Sequence, residues 1–161
     1  MVTWISSYKV INQSNSLNLF FNFRWGYKTI DETREVVEGY KKHKIPLEVM
    51  WNDIDYMDKF KLFTLDPINY PEHKVKSLIS NLHKNNQKYM MIVDPGVKIE
   101  KGYKMYEDGL EQKLYITKED GKTPIVNRVW PGLTVFPDFT LFEKTGKYWE
   151  KYIKEFHKKL P

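Results

Sequence analysis

Apolar and polar positions along this chain follow two rhythms, one of period two and one of helical spacing, and they alternate in a regular order. Leu17-Asn18-Leu19-Phe20-Phe21-Asn22-Phe23 reads as an aromatic-rich strand that ends at the polar cluster Arg24-Trp25-Gly26-Tyr27. Thr29-Ile30-Asp31-Glu32 then has the spacing of a capping box, in which a hydroxyl and a carboxylate satisfy the first free amides of a helix. Thr33, Val36, Val37 and Tyr40 recur at helical spacing, which predicts a helix over about residues 30–43. Ile45-Pro46 breaks that helix, and Leu47-Glu48-Val49-Met50-Trp51 starts a second strand, closed by Asn52-Asp53-Ile54-Asp55. A loop over residues 56–70 leads to a second helix, with Pro71 near its first turn, Val75, Leu78, Ile79 and Leu82 on one face, and Asn85-Asn86 as its close. The third strand, Tyr89-Met90-Met91-Ile92-Val93, is a continuous apolar run of the kind expected for a parallel strand covered on both faces; it stops at Asp94-Pro95-Gly96.

This βαβαβ order predicts an α/β fold with a parallel sheet. Residues 97–139 depart from it. Lys113-Leu114-Tyr115-Ile116-Thr117, the turn signal Glu119-Asp120-Gly121-Lys122 and Thr123-Pro124-Ile125-Val126 together predict a β-hairpin inserted after the third strand. Val129-Trp130-Pro131-Gly132 and Phe136-Pro137-Asp138-Phe139 follow. A final helix is predicted from a second capping box, Thr140-Leu141-Phe142-Glu143, with Tyr148, Trp149, Tyr152, Ile153, Phe156 and Leu160 on one stripe. The next element of a βα repeat would be a fourth strand, and none is found before Pro161. Residues 1–16 read as a polar, irregular segment, apart from Trp4, Ile5, Tyr8, Val10 and Ile11.

Composition narrows the classes. With 41% hydrophobic and 16% aromatic residues the chain can bury a core, so it is no disordered linker. Its 161 residues suit one domain but fall well short of the roughly 250 that close a (β/α)8 barrel. The net charge of +5 and pI near 9.1 invite an anionic partner, yet the lysines lie on helix faces interleaved with Glu143, Glu150 and Glu155, and no groove-reading motif accompanies them. A nucleic-acid partner is therefore not expected. The absence of cysteine excludes a disulfide framework, a zinc knuckle and a thiol nucleophile. His43, His73, His83 and His157 are scattered without ligand spacing, so neither a metal site nor a cofactor is expected. No apolar run approaches 18 residues, and Ser6, Ser7, Lys9 and Asn12 to Asn15 break up the first twenty, so no membrane partner and no signal peptide are expected and localisation stays open. Asn12-Gln13-Ser14 matches a glycosylation sequon, a pattern too short to be specific.

Each predicted strand ends in a polar or aromatic cluster at its carboxyl end, the edge of a parallel sheet where ligands bind. On an extended segment Asp53 and Asp55, at i and i+2, would point to the same face with Trp51 alongside. Two carboxylates beside aromatics invite a glycosidase reading. The plainer reading, an Asp bonded to a neighbouring strand end or an Arg, fits Asp-x-Asp better. Adjacent side chains on one strand also do not flank a glycosidic bond from opposite sides, so the pair is not assigned as acid and nucleophile.

Taken together, Phe23-Arg24-Trp25-Gly26-Tyr27, the run from Pro46 through Trp51-Asn52-Asp53-Ile54-Asp55-Tyr56-Met57, Tyr89-Met90-Met91-Ile92-Val93-Asp94-Pro95, Val129-Trp130-Pro131-Gly132 and Phe136-Pro137-Asp138-Phe139 resemble, in order and spacing, the α-glucosidases of glycoside hydrolase family 31. The resemblance covers about residues 20–161 and leaves out residues 1–16. It implies a partial (β/α)8 TIM barrel, about the first three βα units, so that residues 17–161 form an incomplete catalytic domain. It implies retaining hydrolysis of α-linked glucose at non-reducing ends, on an α-glucoside or malto-oligosaccharide substrate, through a glycosyl-enzyme ester. The family's nucleophile sits in a Trp-Ile-Asp-Met-Asn-Glu-like motif on the fourth strand and its acid/base Asp later still. Neither motif occurs here, so no catalytic residue is assigned and the chain alone is expected to be inactive: a truncated gene model, a fragment or one piece of a split enzyme. What carries over is substrate binding. Asp53 matches the first Asp of the family's Asp-Ile-Asp motif and is expected to accept hydrogen bonds from outer hydroxyls of the terminal glucose; Ile54 and Ile92 are expected to line the pocket, and Trp130, from the Trp-Pro-Gly motif, to offer an aromatic face. Structural alternatives stand beside these: Trp130 as a core aromatic under the hairpin, Ile92 as a barrel-core residue, and Arg24, Asp55 and Asp94 as members of strand-end polar networks. A non-catalytic sugar-binding or regulatory derivative is the second functional reading. Open sheet edges predict a complementary chain or self-association as the partner.

Overall fold

The computed structural model describes residues 21–160, which divide into two compact units, one from residues 21–56, 67–92 and 160, the other from residues 57–66 and 93–159. The segment 1–16, the sequon and the first part of the expected strand at 17–20 lie outside the described residues.

The first unit carries β1 (Phe21–Arg24), α1 (Ile30–Lys42), β2 (Val49–Asn52), α2 (Glu72–Lys84) and β3 (Lys88–Met91). Its strands run parallel in the order β1-β2-β3. α1 starts where the capping box places it: Thr29 Oγ1 accepts from the Glu32 amide at 3.1 Å. The Glu32 carboxylate accepts from the Lys28 amide at 2.7 Å, one residue before the amide the motif would satisfy. Pro71, with φ fixed at −61°, occupies the N-cap position of α2, and Val75, Leu78, Ile79 and Leu82 are all buried. α2 packs on both β3 and α1.

The register divides the sheet into two faces. Asn22, Met50 and Tyr89 align across it, as do Phe23, Trp51 and Met90. Met50 and Tyr89 are buried, whereas Phe23 is 71% exposed. On the third strand Tyr89 is buried and Met90 and Met91 are half-buried. Apolar residues on both faces hide in the sequence the period-two alternation between Tyr89, aligned with Met50, and Met90, aligned with Trp51.

The second unit holds β4 (Val97–Lys98), α3 (Lys104–Glu111), β5 (Asn127–Val129), β6 (Gly132–Val135) and α4 (Phe142–Lys159), with an antiparallel sheet in the order β4-β6-β5. Within the segment expected to form a hairpin, Thr117 pairs with Pro124, the Lys118 amide donates to the Thr123 carbonyl at 2.8 Å and the Ile125 amide to the Ile116 carbonyl at 2.8 Å. Pro124 has no amide to donate, and the longer ladder forms further on, between β5 and β6. α3 falls where no helix was predicted. Of its residues Met105 and Gly109 are buried, and a Cβ on Gly109 would stand 2.3 Å from the Tyr115 hydroxyl, so glycine is what lets the Tyr115 ring lie against the helix. The second capping box is also corrected. α4 begins at Phe142, and the Thr140 hydroxyl donates to Asp138 Oδ1 at 2.6 Å, while the Asp138 carbonyl accepts from Thr145 Oγ1 at 2.6 Å. Asp138 thus organises the entry to α4, whose Tyr148, Tyr152 and Phe156 are buried.

Candidate functional site

The carboxyl edge of the parallel sheet brings Asp53, Ile54 and Ile92 together. β2 ends at Asn52, and Ile54–Tyr56 form a 3-10 turn immediately after Asp53. Asp53 and Asp55 therefore do not share an extended segment, and the alternation that would point both to one face does not apply to them. Asp53 Oδ1 accepts from the Ile54 amide at 2.7 Å, and Asp55 Oδ2 accepts from the Gly26 amide at 2.8 Å. Asp55 is thus a structural acceptor that ties the β1–α1 turn to the end of β2. On the next strand, the Ile92 amide donates to the Asn52 carbonyl at 3.1 Å and the Ile92 carbonyl accepts from the Tyr56 hydroxyl at 2.6 Å. Both main-chain groups of Ile92 are fixed, and its side chain is half-buried.

Gly26 adopts φ +104°, a region that favours glycine, and this turn leaves Trp25 69% exposed just beyond β1. Sequence reasoning grouped Trp25 with a polar cluster and gave it no role; the signal was a large aromatic directly before a glycine at a strand end. The Arg24 guanidinium lies 5.7 Å from the centre of the Tyr27 ring, a cation–π contact within the same cluster. Trp130 belongs to the second unit, in the turn between β5 and β6, and is 52% exposed, which overturns the alternative of a core aromatic under the hairpin.

Behind the edge sit phenols that stay protonated. Burial pushes Tyr70 up to about 12 and Tyr89 well above its ordinary value. Among the described residues, no group of three or more His, Asp and Glu side chains is placed to hold a metal, and no helix is long and apolar enough to cross a membrane. In the first unit a half-buried carboxylate, Asp53, thus stands just past the end of the central parallel strand, followed in the chain by Ile54 and with Ile92 bonded to the residue before it. A carboxylate in general can accept from ligand hydroxyls and apolar side chains can cover carbon-bound hydrogens.

Residues 16–161 match the glycosyl hydrolases family 31 TIM-barrel domain. The chain belongs to this family. A probable alpha-glucosidase of Oryza sativa subsp. japonica is 42% identical over 142 residues, which cover 88% of this chain and 16% of the rice protein. Alpha-xylosidase 1 of Arabidopsis thaliana is also 42% identical over 142 residues, 88% of this chain and 15% of its own length. The family 31 chain thus spans a small part of these relatives. Among solved structures, a family 31 alpha-glucosidase from Bacteroides thetaiotaomicron superposes with a TM-score of 0.63 at 32% identity, over 80% of this chain and 21% of that one. The ER glucosidase II heterodimeric complex, of a catalytic subunit and the binding domain of a regulatory subunit, gives a TM-score of 0.76 at 24% identity over 81% of this chain and 14% of that one, a likeness of fold.

Proposed function

We propose that this family 31 chain supplies one wall of the glucosyl pocket of a retaining α-glucosidase. Asp53 accepts from outer hydroxyls of the terminal glucose, and Ile54 and Ile92 form the apolar wall. Exposed Trp25 of the first unit adds a candidate aromatic platform, and Trp130, exposed in the second unit, keeps the role of a sugar-facing aromatic assigned from the Trp-Pro-Gly pattern. The observation that carries this reading is the position of Asp53, directly beyond the central strand of a parallel sheet, with Ile92 hydrogen-bonded to the residue before it. The three βα units would be the first three of an eight-fold barrel, with the antiparallel segment inserted after the third strand. Retention needs two carboxyl groups flanking the scissile bond about 5 Å apart; Asp55, engaged by the Gly26 amide, is assigned to neither role, and on this reading both groups are supplied by other parts of the family's barrel. A complementary chain, or self-association through open sheet edges, is the partner this implies.

The 161-residue chain is expected to give no turnover of p-nitrophenyl α-glucoside or maltose. Millimolar maltose is expected to shift the amide resonances of Asp53, Ile54 and Ile92, and Asp53→Ala to abolish those shifts. Retaining hydrolysis by the chain alone overturns the division of labour. Absence of maltose-dependent shifts overturns the pocket assignment.

A further inference from the structure

The carboxyl end of β2 holds a polar side chain at a point where a strand core would ordinarily be apolar. Asn52 and Thr33 are both completely buried, as is Tyr70. A buried amide needs a partner for each proton it carries. The Tyr70 hydroxyl donates to the Tyr27 carbonyl and the Thr33 hydroxyl to the Thr29 carbonyl, the latter at 3.3 Å, so both hydroxyl protons are committed and both oxygens are left to accept. Asn52 Nδ2 donates to each of them at 3.0 Å. Asn52 Oδ1 in turn accepts from the Tyr89 hydroxyl at 2.6 Å. A flipped amide would set its oxygen against two acceptors and its NH2 against a phenol proton, so the count of donors fixes the orientation. The partners of Asn52 come from α1, the segment before α2, and β3; Tyr70 in turn bonds the β1–α1 turn at Tyr27, and the Asn52 carbonyl accepts from the Ile92 amide.

We propose that Asn52 is a positioning residue for the sugar-binding wall: its buried side chain locks the end of the central strand to the elements around it, so that Asp53 and Ile92 are held in place before any ligand arrives. A leucine would fill the same space but leave the Tyr89 hydroxyl without its acceptor, the Thr33 and Tyr70 oxygens without a donor, and the strand end free to shift. The inference rests on the reading of Asp53 as a sugar acceptor, although its structural part can be tested without sugar. The Ile54 amide, bonded to Asp53 Oδ1, and the Ile92 amide, bonded to the Asn52 carbonyl, report directly on the two residues positioned.

The test is amide hydrogen exchange on the full chain with Tyr89→Phe, which removes one bond of the network, with Thr33→Val as a second mild variant and Asn52→Leu as the complete deletion. Exchange at Ile54 and Ile92 is expected to accelerate by about tenfold relative to Val75 and Leu78 in α2, since one buried hydrogen bond is lost. A merely structural role would accelerate all four amides together. Equal changes, or unchanged protection of Ile54 and Ile92 in Asn52→Leu, overturn the proposal. Maltose titrations of the same variants separate it from the functional reading. Local acceleration in a chain that binds no maltose keeps the positioning network and removes the sugar role, whereas maltose binding unaffected by Tyr89→Phe and Asn52→Leu removes the positioning role and keeps the sugar.

Discussion

Asp108 on α3 shows how one carboxylate can join two helices. Lys151 and Tyr152 of α4 reach its Oδ2 at 2.5 Å and 2.7 Å, and Lys104 reaches Oδ1 at 3.1 Å from one turn earlier on α3. Partial burial works against its charge, but the hydrogen bonds from Lys151, Tyr152 and Lys104 outweigh that and hold the carboxyl down to about 2, below its ordinary 3.8. A carboxyl depressed in the folded state stabilises the fold above its unfolded pKa, and that contribution is lost as the pH falls through the folded value. Asp108→Asn is therefore expected to cost on the order of 1–2 kcal/mol at neutral pH, with the gap to the wild type closing between pH 3.8 and about 2. Thermal melts across that range check it, and a gap that does not change with pH counts against it. Single residues also mark the limit of the sequence reading. Asp53 stood out because a motif carries it, but Asn52 beside it read only as a polar strand end. Its partners Thr33, Tyr70 and Tyr89 are spread over more than fifty positions, and nothing short of the fold shows that they meet.

Three helices, α1, α2 and α3, close in the same way. After each C-cap the next residue turns left-handed and two amides bond back: Lys44 to Lys41 and Ile45 to Tyr40, Asn86 to His83 and Gln87 to Leu82, Lys113 to Leu110 and Leu114 to Gly109. This is the Schellman pairing, whose left-handed position favours glycine and tolerates asparagine. Asn86 therefore announced the end of α2 in the sequence. Lys44 and Lys113, at φ 55° and φ 54°, announced nothing. The elements with a full apolar stripe and a readable stop, α2 above all, were legible, and the order of strands and helices in the first unit followed from them. α3 was not, because eight residues with two inward positions carry too little periodicity to separate a helix from a loop. Lys44→Gly and Lys113→Gly are each expected to raise stability by about 1 kcal/mol, since a side chain in this conformation costs about that much. Melting temperatures should rise for both, and an unchanged or lower value for either would show that the lysine side chain compensates.

At the scale of the whole chain the first unit presents surface that a closed barrel would bury. Phe23, Trp51 and Met90 line one face of its sheet, and Phe23 meets Trp51 edge-on at 6.5 Å between ring centres. Trp25 extends the exposed apolar surface past the end of β1. Among the described residues β1 and β3 each pair on one side only, and such open edges are templates for a further strand. Open edges and an aromatic face both favour association, and burial of apolar surface, unlike an ion pair, is not weakened by salt. The 161-residue chain is expected to sediment as associated species at micromolar concentration, to remain so when salt is raised, and to shift toward monomer when Phe23 and Trp25 are both replaced by lysine. The double substitution places charge on the open face and leaves Met50, Tyr89 and the helix-covered face untouched, so the change should appear in sedimentation with little change in melting. A wild-type chain that sediments as a monomer and melts in one cooperative step would show that the face is satisfied within the chain, and would remove the physical basis for assigning it a partner.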